Sequence, residues 1–183
     1  MQKQLAFLED SPPKGFKYFP DFISVAEEKK LLAFLQSLDW KNIHMHGVIA
    51  KRKVVHFGMD YYYDSRTFSP TTPAPKELQF LIKRAAKALK VAPQSIKEIL
   101  ISYYPVGAPI GWHRDAPMFE SVFGVSLENS CTMKFRSDSG NYKTELEPRS
   151  GYIIEGEARW KWQHHIPAVK TERYSITMRT MKD

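Results

Sequence analysis

The sequence predicts an α+β fold: a sandwich or jelly roll of about eight short strands behind an amino-terminal helical layer. Three observations predict it. Two helix-periodic segments occupy the first half, β-branched and aromatic runs broken by turn residues fill the second, and no repeat, linker or long charge run divides them. One domain spanning 1–183 is therefore expected.

The first helix follows from "SVAEEKKLLAFLQSLDW", where Ser24 can cap, Glu27 stands at the capping-box position, and Leu31, Leu32 and Leu35 form an apolar stripe. A second runs from about Pro75 to Leu89, with Leu78, Leu81, Ile82 and Ala85 inward and Lys83, Lys87 and Lys90 on a solvated stripe. Between them "KRKVVHFGMDYYYDSRTF" has strand composition, with Gly58 as a turn or bulge. The remaining strands are "EILISYYP", "IGWHRD", "SVFGVSLE", "CTMKFRS", "YKTELEP", "SGYIIEG", "RWKWQHHIP" and "RYSITMRT".

Composition narrows the class. The chain has 183 residues, enough for a sizeable core, and a single cysteine, Cys131, so no intrachain disulfide can form and a reducing, cytoplasmic setting is expected. No run approaches the ~20 apolar residues of a membrane span, so no membrane partner is expected. The net charge of +7 favours polyanionic partners.

Strand parity then sorts the polar residues. Arg173, Ser175, Thr177 and Arg179 share one face of the last strand, opposite Tyr174, Ile176 and Met178. Ser102 and Tyr104 share a face one strand over. In "GWHRDAP" the same rule groups His113 with Asp115 and turns Arg114 away, so the pair can bind one ion. A third ligand is available in "WQHHIP", where His164 or His165, but not both, can face that ion.

These elements in this order resemble the AlkB family of Fe(II)- and 2-oxoglutarate-dependent dioxygenases. The resemblance runs from about Phe19 to Met181 and rests on "YYPVGAPIGWHRD", "GVSL", "LEPRSGYIIEGEARWKWQHHIP" and the closing Arg-x5-Arg of "RYSITMRT". It implies a double-stranded β-helix, a jelly roll with iron in its open end. It implies His113, Asp115 and His164 as metal ligands, and places 2-oxoglutarate on Arg173, Arg179, Tyr104, Ser102 and Ser175, with O2 as co-substrate. Ser102 stands where many members have Asn, and Pro117 where the DNA-repair members carry an acidic reader of the exocyclic amine.

By the same resemblance, decarboxylation of 2-oxoglutarate drives hydroxylation of an alkyl group on a base nitrogen, with release of formaldehyde. Alkylated DNA or RNA, single-stranded or with the base flipped out, is the implied partner of a monomeric enzyme in repair or RNA demethylation. The resemblance implies an amino-terminal extension over about 1–18 and a substrate lid over about 50–64; Arg52, Tyr61, Tyr62 and Tyr63 in that lid, together with Trp112 and Arg114, are candidate substrate contacts. Two alternatives remain: the same chemistry on a protein or small molecule, giving turnover that methylated oligonucleotides do not stimulate, or an idle binding module, giving no succinate.

Overall fold

The computed structural model describes residues 11–45, 48–62 and 67–182. The chain opens with strand β1 (Phe16–Phe19), then helix α1 (Val25–Gln36), capped at Ser24 by the reciprocal Ser24–Glu27 hydrogen bonds that the sequence predicts. Strands β2 (Lys41–Met45), β3 (Val48–Phe57), β4 (Met59–Tyr62) and β5 (Thr67–Pro70) follow. Helix α2 (Gln79–Leu89) is entered through one 3-10 turn at Lys76–Leu78, and it buries Leu81, Ile82 and Ala85 as its periodicity requires. The rest is β6 (Ile96–Tyr104), β7 (Ile110–His113), β8 (Phe119–Leu127), β9 (Cys131–Ser137), β10 (Gly140–Leu146), β11 (Gly151–Ile154), a short α3 (Gly156–Trp160), β12 (Gln163–Ile166) and β13 (Arg173–Met181).

The strands form a seven-stranded sheet, ordered β1-β11-β8-β13-β6-β3-β2, and a four-stranded sheet, ordered β10-β9-β12-β7. Every pairing in them is antiparallel, which is the predicted jelly-roll class. Two cores result. One face of the large sheet packs Ile99, Ile101, Phe123, Val125, Ile176 and Met178 against α1 and α2, and the other encloses Tyr104, Met133, Phe135, Tyr152 and Ile166 with the small sheet. The large sheet is thus covered on both sides, so the polar alternation of β13 marks an interior surface rather than a solvent one.

Three sequence expectations change. Phe16–Phe19, expected within an extension, pairs with β11. The expected lid divides: β3 belongs to the large sheet beside β6, whereas β4 and β5 form a separate hairpin. Gly58 joins these parts at φ +79°, and a Cβ there would stand 2.3 Å from the Lys97 carbonyl oxygen, so only glycine fits. Finally, "RW" in "RWKWQHHIP" is helical, because Glu-Ala-Arg after the turn at Gly156 favours one helical turn before β12 begins.

Candidate active site

The cavity between the sheets is built from alternating side chains. Along β13, Arg173 lies across from Tyr104, Ser175 from Ser102 and Arg179 from Glu98. On the small sheet His164 of β12 is the cross-strand partner of His113 of β7, which brings their rings to 4.2 Å between centroids. Asp115 follows β7 by two residues and is buried. Ser102, Tyr104, His113, Asp115, His164, Ser175 and Arg179 line one cavity, together with Arg52 and the apolar walls Val122, Met133, Ile154 and Ile166.

Donor chemistry decides whether the triad suits a divalent iron. Burial pulls the His164 imidazole down to about 3, and burial likewise lowers His113, so both rings are neutral and carry a lone pair. Burial pushes the Asp115 carboxyl up, but the charge of Arg179 with the fields of His164, His113 and Arg159 reverses this and holds it well below the usual range. One carboxylate oxygen, Oδ1, is occupied by Arg179 Nε at 2.8 Å and Nη2 at 2.7 Å. Oδ2 has no hydrogen-bond partner among the described residues and lies 3.6 Å from His164 Nε2. The His113 Nδ1 is committed to the Gly111 carbonyl at 2.8 Å, which leaves its Nε2 as the ligating atom. As the side chains stand, no three such groups among the described residues converge tightly enough to enclose an ion. Two neutral imidazoles and a carboxylate with one unused, buried oxygen are nonetheless the donor set of a facial triad, and the residues fit the metal on that chemistry.

The two arginines of β13 differ. Arg179 is fixed on Asp115 and on Glu98, to which Nη1 donates at 2.6 Å. Arg173 is fully buried, donates from Nη2 to Ser126 Oγ at 3.0 Å, and has neither an Nε nor an Nη1 partner among the described residues. Its guanidinium lies 4.9 Å from the centre of the Tyr104 ring. A buried, half-satisfied guanidinium costs a few kcal/mol unless an anion completes it. A carboxylate, whose two oxygens match the guanidinium fork, is the anion such a group accepts.

Other expected contacts fall elsewhere. Arg52, expected at a basic entrance, is buried inside the cavity, where Nη1 donates to Ser102 Oγ at 3.0 Å; because β3 pairs with β6, its alternate residues face inward. Trp112 points away from the metal ligands, stacks on His165 at 4.9 Å and belongs to the outer face of the small sheet. Arg114 is exposed and donates to the Lys161 carbonyl at 3.1 Å. Tyr61 and Tyr62 lie in β4, and Tyr63 is outside the described residues.

Sequence reasoning missed three partners. Glu98 is 1% exposed and joins Arg179 to His56, whose Nδ1 is 3.3 Å away. Its signal was available, because parity puts Glu98 on the face of Ser102 and Tyr104. Arg159 donates to the carbonyls of Ala116 at 2.7 Å and Phe119 at 2.8 Å, bracing the loop that carries Asp115. Tyr152 reaches the cavity across Gly124, where an added Cβ would sit 2.1 Å from its ring. Neither has a sequence signature.

Comparison with known proteins agrees with this geometry. Residues 15–180 match the model of the 2OG-Fe(II) oxygenase superfamily. The chain is 29% identical to the Arabidopsis thaliana "Alkylated DNA repair protein ALKBH8 homolog" over 87% of its length and 52% of the relative's. It is 29% identical to the Mus musculus "tRNA (carboxymethyluridine(34)-5-O)-methyltransferase ALKBH8" over 87% of its length and 25% of that protein. The chain thus spans about half and about a quarter of these relatives. Among solved structures, OsALKBH1 superposes with a TM-score of 0.76 at 15% identity, covering 93% of this chain and 98% of that one, a likeness of fold. The chain belongs to the 2OG-Fe(II) oxygenase superfamily, and the relatives it is similar to carry ALKBH8 names.

Proposed function

We propose that this dioxygenase oxidatively dealkylates N-alkylated bases in nucleic acid, DNA or RNA, presented single-stranded or flipped out of the stack. The observation that carries the chemistry is the joining, in one cavity, of the His113–Asp115–His164 donor set with Ser175, Thr177 and Arg179 of β13. Support for the substrate comes from the two relatives, whose names state alkylated DNA repair and tRNA modification, and from the charge of +7.

His113 Nε2, Asp115 Oδ2 and His164 Nε2 would hold Fe(II), which when bound with 2-oxoglutarate and O2 supplies the oxidation that couples decarboxylation to C–H hydroxylation. Arg179 keeps Asp115 ionised and oriented, so the carboxylate needs no reorganisation to ligate. Arg173 receives the distal carboxylate of the co-substrate through its unused Nε and Nη1, with Tyr104, Ser102 and Ser175 donating alongside. Val122, Met133, Ile154 and Ile166 keep water from the reacting carbon. Once that carbon carries a hydroxyl, its bond to the base nitrogen breaks, and formaldehyde leaves with the base restored.

Beyond the groups that meet the co-substrate, Arg52 gives the cavity a donor, while Asp115 is the one carboxylate in its lining among the described residues. Pro117 is exposed. A base that offers carbonyl acceptors suits this lining better than one read through an exocyclic amine. The test is anaerobic loading with Fe(II) and 2-oxoglutarate, then admission of air to a panel of methylated DNA and RNA oligonucleotides that includes methylated uracils. A loss of about 14 mass units from a member is the expected result. Succinate formation with every oligonucleotide unchanged would overturn the substrate.

A further inference from the structure

The outer face of the small sheet is organised in cross-strand rows. Lys143 of β10 pairs with Lys134 of β9, and Lys134 with His165 of β12, on which Trp112 of β7 stacks. One row further along, Asn141 pairs with Arg136 and Arg136 with Gln163. Lys134, Arg136, Lys143 and, just past β7, Arg114 are exposed, and none has a carboxylate within ion-pair distance among the described residues. The nearest acid along these strands, Glu145, accepts from Thr132 in the row beyond.

The cations are placed rather than loose. The Arg136 guanidinium lies 4.4 Å from the centre of the Trp112 ring, and its Nε donates to Gln163 Oε1 at 2.9 Å. Both contacts limit its rotamers and so reduce the entropy lost when it binds an anion. Neighbouring strands are about 4.8 Å apart and same-face rows about 7 Å apart, close to the separation of successive phosphates. A folded protein that sets four cations on one face, with Glu145 the one acid along these strands among the described residues, raises its own electrostatic cost, which a polyanion would relieve.

The position of the face selects among polyanions. β7 is the edge strand of the small sheet, and it carries His113 into the cavity while Trp112 stands on the opposite face. A strand whose reactive base enters beside His113 has the rim of β7 to cross before it reaches Arg136, Lys134 and Lys143. We infer that the outer face of β9, β10 and β12 is a track for the phosphate backbone of a nucleic acid whose base occupies the cavity. The inference rests on the proposal that the substrate is nucleic acid.

The test measures binding of a fluorescein-labelled, unmodified single-stranded oligonucleotide by anisotropy across a salt series. It uses the whole chain and three forms: wild type, Lys134→Ala/Lys143→Ala, and Lys83→Ala/Lys87→Ala on the far surface of α2. Both doubles lose the same charge. The track variant is expected to bind about tenfold more weakly and to lower the slope of log K against log salt by about 1.4, near 0.7 for each lost phosphate contact. The α2 variant should match wild type. Equal losses in the two doubles would overturn the track, as would an unchanged slope, or binding of polyglutamate with no binding of the oligonucleotide. If the track variant loses binding while no methylated base is turned over by wild type, the track stands and the dealkylation proposal fails. If wild type dealkylates oligonucleotides and the track variant does so unchanged, the reverse holds.

Discussion

Two arginines on one face of β13, six residues apart, end in opposite states. Arg179 spends Nε and Nη2 on Asp115 and Nη1 on Glu98, whereas Arg173 meets Ser126 and keeps two buried nitrogens without partners among the described residues. The residues are chemically identical, so the difference comes from the neighbouring strand: β6 presents Glu98 across from Arg179 and Tyr104 across from Arg173. One end of β13 thereby frames the Asp115 carboxylate, and the other holds a buried guanidinium, an anchor that, on the proposed function, the co-substrate carboxylate completes.

The largest effect tests the frame. Asp115→Ala should lower succinate formation by at least about 10³-fold and abolish Fe(II) loading, and His164→Ala should do the same. His165→Ala should load iron within about threefold of wild type, since its ring faces Trp112 and its Nδ1 bonds the Ile110 carbonyl. Iron loading by the His164 variant and not by the His165 variant would reverse the assignment.

Next comes the anchor. Arg173→Lys keeps the charge and loses the fork, and the KM for 2-oxoglutarate should rise about 50-fold with kcat changed by less than about threefold, as expected for roughly 2 kcal/mol of charge-assisted hydrogen bonding. Arg179→Lys should instead depress kcat and iron affinity. Steady-state kinetics that gave both variants the same pattern would erase the distinction between frame and anchor.

The frame also has a pH signature. The folded His164 and His113 titrate below the unfolded value near 6.5, His164 at about 3, so the unfolded chain binds more protons once the pH drops under 6.5. Stability of the chelator-treated protein should therefore fall steadily from pH 6.5 towards 3. Asp115 acts in the same sense at lower pH: its folded pKa is also depressed, so its contribution is complete above the ordinary carboxylate range and is lost as the pH falls below it. Thermal melts at pH 7.5 and 5 should differ by several degrees, and His164→Gln should flatten that dependence. Equal melting temperatures at both values would contradict the neutral buried pair.

Much of this was legible in the sequence for physical reasons. Period-2 alternation in "RYSITMRT" and "EILISYY" reports which side chains share a face, and the capping box at Ser24 reports a local hydrogen-bond exchange; both are short-range properties. What parity could not supply was which strands become neighbours. Trp112 was therefore expected at the substrate, although the order of the small sheet turns it outward, and Arg52 was expected in a lid, although the pairing of β3 with β6 makes it part of the cavity wall. Arg159 was invisible for the same reason, since its acceptors lie about 40 residues away.

The smallest expected effect concerns Glu98, the partner that distinguishes Arg179 from Arg173. Glu98→Gln retains a carbonyl oxygen able to accept from Arg179 Nη1 but removes the buried charge, so kcat/KM for 2-oxoglutarate should fall only about threefold to fivefold, with iron loading unchanged. Glu98→Ala removes the acceptor as well and strands Arg179 Nη1 and His56 in the interior; breaking a buried pair in this way costs about 3–5 kcal/mol, visible as a lower melting temperature. The order of the two variants separates the contributions. If glutamine rescues most of the activity that alanine loses, the hydrogen bond holds Arg179 on Asp115. If glutamine is as impaired as alanine, the charge does, and the contrast between the two ends of β13 is electrostatic rather than geometric.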